Sequence, residues 1–293
     1  MVFCLGESLL DIIISSPDDV VVRPGGAMLN AAISIGRCNM KVALISELGD
    51  DDSANMILTY LQNNNIDTSF IVCYNNNKTS LALAFLDENK KPKYSFTKNY
   101  PEQRTITENI HLTNSDILLF GSVYSLDSQI RKNIRALLDK AKSANTTIIY
   151  DPNIRHSHHL EDSKLNEAVY ENIGISDIIK GSDEDFTNIF GTSDINEQIK
   201  NIRLINTNAF IIITMGSEGV LADYSGNIIR LPAVKTDVLS TIGAGDAFNA
   251  GLINGISTLN KLDGQYHSKI LQKGLEFSAL VCASLDNYID IKH

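Results

Sequence analysis

Short apolar runs recur along the chain, and between them lie segments whose apolar residues repeat every three or four positions. The clearest apolar runs cover residues 2–5, 42–45, 117–120, 147–150 and 210–214, and the clearest helical segments cover residues 53–61 and 128–141. Uninterrupted apolar strands alternating with helices are typical of a parallel sheet that is covered on both faces. The pattern therefore predicts an α/β fold.

Two segments depart from this alternation. Residues 12–22 and 81–96 favour strands but have no helix beside them, and the polar residues 87–91 have the composition of a hairpin turn. Spacing alone leaves two interpretations open, a small sheet that leaves the main one or two separate surface hairpins. No Pro-, Gly- or Ser-rich linker divides the chain, so we expect one domain over residues 1–293.

Composition narrows the class of protein. The chain has 293 residues, of which 43% are hydrophobic and 20% charged, and this balance excludes intrinsic disorder. The net charge of −10 repels phosphate backbones and anionic lipids, so we expect neither nucleic acid nor a membrane surface as a partner. Residues 1–5 lack the basic flank of a secretory signal. Four dispersed cysteines are typical of thiols in a reducing compartment and predict a cytoplasmic protein.

An acidic group follows the second predicted strand. It consists of Glu47 and residues 50–52, and it stands directly before the predicted helix that begins at Ser53. Carboxylates at a helix start satisfy free backbone N–H groups. We expect this group to be a solvated turn that caps the helix.

The densest chemical signal is Gly243-Ala244-Gly245-Asp246, which leads into a segment with helical spacing over residues 246–256. Glycines let the backbone approach a ligand closely, and the N-terminus of a helix attracts anions, phosphate above all. Asp246 then has two interpretations, a helix cap or a catalytic base. No Gly-Lys pair occurs in the chain, so a P-loop of the GxxxxGK[ST] form is absent.

A second glycine turn stands near the N-terminus. Gly25-Gly26 leads into another apolar-periodic helix, and Asn30 lies one turn inside it. The Asn30 amide is suited to bind a hydroxyl group. Taken alone, the pattern favours a tight turn followed by a surface residue, because double-glycine turns are common.

Together the two glycine turns resemble the two signatures of the ribokinase-like (PfkB) sugar kinases. Four further segments resemble motifs of this family, in its order and with fructokinase-type features. They are GESLLD at residues 6–11, DPNIR at 151–155, KGSDED at 180–185 and TMGSEG at 214–219.

The resemblance implies a three-layer fold, with a mainly parallel central sheet flanked by helices and a small β-lid over the sugar. Residues 12–22 and 81–96 would form the lid. In many relatives the lid pairs with a second copy, so we expect a homodimer. The implied activity is ATP-dependent phosphorylation of a sugar hydroxyl, with fructose the leading acceptor. Ribose, a 2-keto-3-deoxy sugar acid, a nucleoside, or non-catalytic binding of sugar or nucleotide are the alternatives.

The resemblance also assigns roles to residues. Asp246 would be the base, and the backbone of Gly243, Ala244 and Gly245 would form the anion hole. The sugar-binding residues would be Asp11, Gly25, Gly26, Asn30, Asn153 and Arg155. The ATP-binding residues would be Lys180, Ser182, Thr214, Gly216 and Gly219, with Asp185 holding Mg²⁺ through water.

Two positions depart from the family pattern. Ser240 stands where relatives have an Asp that helps bind a monovalent cation, which argues against activation by K⁺ unless the nearby Asp237 substitutes. Asp185 stands where Glu is usual, so its shorter side chain has less reach toward a metal-bound water.

Overall fold

A computed structural model of the protein describes residues 1–86, 92–107, 109–154, 163–259 and 264–290. The strands of these ranges are β1 (Val2–Leu5), β2 (Leu9–Ser16), β3 (Asp19–Gly25), β4 (Val42–Gly49), β5 (Ile66–Asp67), β6 (Ile71–Tyr74), β7 (Leu81–Leu86), β8 (Pro92–Thr97), β9 (Ile117–Gly121), β10 (Thr147–Asp151), β11 (Ile178–Ser182), β12 (Phe210–Thr214), β13 (Val220–Tyr224) and β14 (Asn227–Leu231). The α-helices are α1 (Ala27–Arg37), α2 (Asp52–Asn63), α3 (Arg131–Ser143), α4 (Ser163–Ile175), α5 (Asp183–Phe190), α6 (Ile195–Ile205), α7 (Ala244–Leu259) and α8 (His267–Cys282).

The larger sheet has ten strands in the order β14-β13-β12-β11-β10-β9-β1-β4-β5, with β6 paired to the far end of β4. All pairs from β12 to β5 are parallel, and β13 and β14 run antiparallel at one end. Two separate apolar clusters lie on its two faces, one packed with α1, α7 and α8 and the other with α3, α4 and α5. The predicted α/β fold is confirmed.

The five predicted strands match β1, β4, β9, β10 and β12. β4 continues to Gly49, four residues beyond the predicted end, and all of its residues are buried. The predicted helix over residues 128–141 begins three residues late, at Arg131, and the residues before it form a turn in which the Ile130 N–H donates to the Asp127 carbonyl.

The two segments without helices form a second sheet of four strands, in the order β3-β2-β7-β8. β2 pairs with β7 in parallel, with Asp11 opposite Ala82 and Ile13 opposite Ala84. This pairing joins the two segments into one small sheet, so the interpretation as two separate hairpins is wrong. The predicted turn at residues 87–91 lies outside the described residues.

One part of the acidic group differs from its prediction. Asp51 caps α2 as expected, since its carboxylate accepts the N–H of Ala54. Glu47 is not on a solvated turn: it belongs to β4, and its side chain is fully buried. The charge is tolerated because Arg104 donates two hydrogen bonds to it, with Nη2 at 2.7 Å from Oε2 and Nε at 3.2 Å from Oε1.

Glu47 and Arg104 belong to a larger buried network at the base of the small sheet. The hydroxyls of Tyr74 and Tyr124 donate to Glu47 at 2.6 and 2.7 Å. The Arg104 guanidinium also bonds to Asp127 and stacks 3.6 Å from the ring centre of Tyr100. Each buried charge thus has several partners, which is the condition for keeping an ion pair inside a protein.

Removal of one partner of this pair is expected to be costly. In Arg104→Met the buried Glu47 carboxylate keeps only the two tyrosine donors, and we expect the free energy of unfolding to fall by about 3–5 kcal/mol. The exposed pair of Arg135 and Asp139 provides the control, because Arg135→Met should lower the free energy of unfolding by less than about 1 kcal/mol. Urea titration measures the free energy of unfolding of both variants, provided that its dependence on urea concentration has the same slope m in each. Equal losses of stability in the two variants would contradict this account.

Within the described ranges, none of the helices combines the length and apolar character needed to cross a membrane.

Candidate active site

The predicted site residues gather at one edge of the large sheet. The parallel strands β10, β11 and β12 end there at Asp151, Ser182 and Thr214. In open α/β sheets the crevice outside the carboxyl ends of the strands is where ligands bind. The N-termini of α1 and α7, which carry the two glycine turns, meet at the same place.

Gly26 is the residue before α1 and has a φ of 125°, which glycine adopts at little cost. A Cβ atom at this position would lie 2.1 Å from the Glu7 carbonyl oxygen. The turn therefore brings the chain after β1 against the start of α1. Gly25 packs equally closely on Asp11 of β2, since its Cβ would lie 2.0 Å from Asp11 Oδ2.

The two glycine-led helices are joined by a hydrogen bond between predicted site residues. Asn30 Nδ2, in the first turn of α1, donates to Asp246 Oδ2 at 2.9 Å, and both side chains are buried. Asn30 is therefore not a surface residue. α7 begins at Ala244, so Asp246 lies inside its first turn and is not the cap that precedes the helix.

Gly243 takes a φ of 81°, and a Cβ atom there would lie 2.1 Å from the Asn287 carbonyl oxygen. The C-terminal segment thus packs directly on the anion-hole loop, which we define as residues 243–245. The N–H of Ala244 donates to the Thr241 carbonyl over a long 3.3 Å, so a bound anion would compete with that bond.

Ser182 and Asp185 form a reciprocal capping box at the start of α5. Asp185 Oδ2 accepts the Ser182 N–H at 2.7 Å, and Oδ1 accepts the N–H of Ile154 at 2.7 Å. The second bond ties α5 to the segment that contains Asn153. Burial raises the pKa of Asp185, and the nearby Asp151 carboxylate raises it further.

Three predicted nucleotide-binding residues lie together after β12. Thr214 Oγ1 donates to the Gly181 carbonyl at 3.4 Å, which links β12 to β11. Gly216 and Gly219 have positive φ values and flank a single helical turn that is closed by Met215 N–H bonding to the Gly219 carbonyl at 2.8 Å. Residues 216–218 of this turn are exposed, whereas Gly219 is buried, and an added Cβ there would lie 2.1 Å from the Leu231 carbonyl oxygen.

Lys180 is not exposed beside that turn. Its side chain is 4% exposed, and Nζ is 2.8 Å from Asp151 Oδ2 and 3.2 Å from the Gly245 carbonyl oxygen. Of the remaining predicted residues, Asn153 is half-buried, and Arg155 lies outside the described residues.

Sequence reasoning missed two residues at the centre of this site. Asp151 is buried at the end of β10, and Asn249 Nδ2 donates to its Oδ2 at 2.6 Å. Asn249 stands three positions after Asp246 and hence on the same face of α7. That spacing, together with the opening Asp of the DPNIR segment, was the signal available in the sequence.

Comparison with known proteins identifies the family. Residues 1–291 match the pfkB family carbohydrate kinases. The chain belongs to this family. It is 25% identical over 258 residues to a fructokinase of Vibrio alginolyticus, covering 87% of this chain and 84% of that protein. It is 27% identical over 281 residues to a fructokinase of Rhizobium leguminosarum bv. trifolii, covering 89% and 81%. The protein is thus an ATP-dependent sugar kinase of the PfkB family, as the resemblance predicted.

Solved structures confirm the ribokinase-like fold. A double mutant of Vibrio cholerae O395 fructokinase, in a form with bound fructose, ADP and potassium ion, has a TM-score of 0.88 at 20% identity and covers 98% of this chain and 93% of its own. An aminoimidazole riboside kinase from Salmonella enterica has a TM-score of 0.85 at 21% identity, covering 97% and 93%. The three-layer architecture and the small separate sheet are as predicted.

The fit between Gly243 and Asn287 predicts a catalytic defect. In Gly243→Ala the added methyl group must displace the C-terminal segment or the anion-hole loop, and shifts of about 1 Å near reacting groups lower kcat by about 10²-fold. Gly226 is the matched control: its φ is 86°, but nothing lies within 4 Å of an added Cβ. Sugar-dependent ADP release should fall steeply in Gly243→Ala and little in Gly226→Ala. Similar rates for the two variants would contradict this role of the contact.

Proposed function

We propose that the protein transfers the γ-phosphate of ATP to a hydroxyl of fructose, with Asp246 as base and the Gly243–Gly245 backbone as anion hole. The observation that carries this proposal is the hydrogen bond from Asn30 to Asp246. It joins α1, which carries the predicted sugar-binding residues Gly26 and Asn30 at its start, to the predicted base, which directly follows the anion-hole loop. Fructose is favoured as acceptor because the relatives named above are fructokinases.

Phosphoryl transfer requires an aligned acceptor and stabilisation of charge on the transferring oxygens. Asp246 accepts the proton of the attacking hydroxyl, a contribution of about 10²–10⁴ in rate. The backbone N–H groups at the start of α7 face the developing negative charge, where the helix dipole adds to their effect. The Asn30 amide donates to Oδ2 of Asp246 and so orients the carboxylate for this role.

The acceptor would lie between the small sheet and the start of α1. Asp11 is on the small sheet, packed against Gly25, and Gly26 and Asn30 begin α1. Carboxylate and amide groups give the directional hydrogen bonds that sugar hydroxyls need. Asn153 and Arg155, from the DPNIR segment, complete the proposed set.

ATP would bind along the edge formed by Ser182, Thr214, Gly216 and Gly219. Of the described residues, no three His, Cys, Asp or Glu side chains are grouped for direct metal binding. A Mg²⁺ ion held through waters fits the site better, because Asp151 Oδ1 is buried and has no hydrogen-bond partner among the described residues. The pKa of Asp185 is raised by burial and, to a smaller extent, by the nearby Asp151 carboxylate. When bound, Mg²⁺ would neutralise phosphate charge, with Asp185 as its water-mediated contact.

We also propose a single kinase domain over residues 1–293, with lid segments at about 12–22 and 81–96. The continuous ten-stranded sheet supports the first part, and the four-stranded sheet supports the second.

The four cysteines are free, as in a protein of a reducing compartment, which supports a cytoplasmic location.

Potassium activation is not part of the proposal. Ser240 replaces the usual Asp, and its Oγ accepts the N–H of Ile242 at 3.2 Å, so it already serves the loop. Asp237, the carboxylate that would have to substitute, is exposed.

ADP release over a panel of sugars, with and without K⁺, tests the proposal together with Asp246→Asn. We expect fructose to give the highest turnover, no increase with K⁺, and a loss of about 10²–10⁴ in kcat in the variant, because an amide does not accept the proton. Its affinity for fructose should change little. Asp139→Asn, an exposed carboxylate on α3, is the control.

Other outcomes of the panel are informative. If only another sugar supports turnover, that sugar is the acceptor and the proposal of fructose is wrong. If no sugar raised ADP release while one still raised the melting temperature, the non-catalytic alternative would hold.

We further propose a homodimer through the lid. Ile12 faces Val22 and Leu83 across the strands, and Ile14 faces Val20 and Phe85, so these six apolar side chains share one face. Asp11 lies on the opposite face. Val20, Val22 and Phe85 are 45–47% exposed, and a continuous exposed apolar face is typical of an interaction surface.

A charge on this face should break the dimer. We expect light scattering to give twice the chain mass for the wild type and the chain mass for Val22→Glu, since the carboxylate would be buried unpaired at the interface. Leu204→Glu, at an exposed apolar residue of α6, should remain dimeric. A monomeric wild type would rule out the proposed dimer.

A further inference from the structure

A buried ion pair lies directly beneath the anion-hole loop. Lys180 of β11 and Asp151 of β10 are 4% and 2% exposed, with Nζ 2.8 Å from Oδ2. Both come from the carboxyl ends of adjacent parallel strands. Burial of two charges is costly unless hydrogen bonds satisfy them, so a pair in this position calls for partners beyond each other.

Both charges have further partners, and both partners belong to α7. Lys180 Nζ donates to the carbonyl oxygen of Gly245 at 3.2 Å. Asp151 Oδ2 accepts from Asn249 Nδ2 at 2.6 Å. The pair therefore holds the first two turns of α7 at two points, Gly245 before Asp246 and Asn249 after it.

The bond to Gly245 acts on the peptide that links Gly245 to Asp246. Because a peptide unit is planar, fixing its carbonyl oxygen also fixes the direction of the Asp246 N–H. The same contact limits the rotation of the Asp246 backbone, from which the proposed base projects. An added Cβ at Gly245 would lie 3.2 Å from Lys180 Nζ, which shows how closely the amine approaches this turn.

The charges around Lys180 keep it protonated. Burial lowers its pKa, but the carboxylates of Asp151, Asp185 and Asp246 outweigh burial and the net pKa is raised. An ammonium group has only hydrogen-bond donors, so it is suited to hold a carbonyl and a carboxylate at once.

We propose that Lys180 is a positioning residue that aligns the anion-hole loop and Asp246 through the Gly245 carbonyl, with Asp151 and Asn249 completing the support. This rests on the proposed function of that loop. Lys180 then contributes to kcat. This differs from the role in ATP binding that the family resemblance implied for it.

The proposal differs from two simpler roles in what it predicts. A lysine that binds ATP directly would affect mainly the KM for ATP. A lysine that only neutralises Asp151 would affect stability, and its removal would be harmless once Asp151 is neutral too. A lysine that aligns donors for the transition state lowers kcat and kcat/KM together.

The test compares Lys180→Met with Lys180→Met/Asp151→Asn. We expect Lys180→Met to lower kcat by about ten- to hundred-fold, with the KM values for ATP and sugar within about three-fold of wild type. The double variant removes the Asp151 charge together with its cation, yet its Gly245 carbonyl still lacks the donor. We therefore expect its stability to recover and its kcat to remain low.

Arg203→Met is the matched control. It removes the cation from another ion pair with a buried carboxylate, that of Arg203 and Asp223, which lies near the amino end of β12 and away from the site. It should lower the melting temperature without changing the kcat of the folded enzyme. If Lys180→Met does not fold, the kcat of the double variant is compared with that of Asp151→Asn, which loses the same carboxylate but keeps the Lys180 donor to the Gly245 carbonyl.

Several results would overturn the proposal. They are a kcat within two-fold of wild type in either folded variant, recovery of kcat in the double variant, or a rise confined to the KM for ATP. Sugar-dependent ADP release by the wild type is measured first. Its absence would refute the proposed function and this inference with it, whereas an active wild type with an active Lys180→Met refutes the inference alone.

Discussion

The hydrogen bond between Asn30 and Asp246 is the contact on which the site depends. It joins two helices whose starting points are 217 positions apart in the chain, at Ala27 and Ala244. Both helices begin at glycines that lie against other backbone, Gly26 at Glu7 and Gly243 at Asn287. A side chain at either glycine would push a helix start outward. The distance from the proposed acceptor side to the proposed base is therefore set by backbone packing, and the hydrogen bond from Asn30 to Asp246 adds to it.

Buried charge is the second constraint, and it is handled differently on the two sides of the site. Below the small sheet, Glu47 and Arg104 are satisfied by tyrosine hydroxyls and a further carboxylate. Beneath the anion-hole loop, Lys180 is the cation that faces several carboxylates, and Asp151 keeps one oxygen without a partner among the described residues. The first arrangement is closed and favours stability. In the proposed function, the second would leave negative charge for a cation that arrives with the nucleotide.

Local pattern predicted much of this molecule, because strands in a buried parallel sheet and glycines before helices have local signatures. The main strands of the large sheet and the strand-forming segments 12–22 and 81–96 follow from such signatures, whereas the single small sheet was implied by the family resemblance and not by spacing. Partners far apart in sequence do not. Glu47 looked like part of a turn because its partner Arg104 is 57 positions away, and the contact between Lys180 and Asp151 likewise joins residues 29 positions apart that no local pattern links.

The fate of the γ-phosphate tests the account most directly. Phosphorus NMR of the wild-type protein with ATP, Mg²⁺ and fructose distinguishes a sugar phosphate from inorganic phosphate as ADP accumulates. If Asn30 and Asp246 present a sugar hydroxyl to the anion-hole loop, a sugar phosphate monoester forms in step with ADP. Inorganic phosphate in step with ADP would show that Asp246 activates water, and would contradict the arrangement of acceptor, base and anion hole described above.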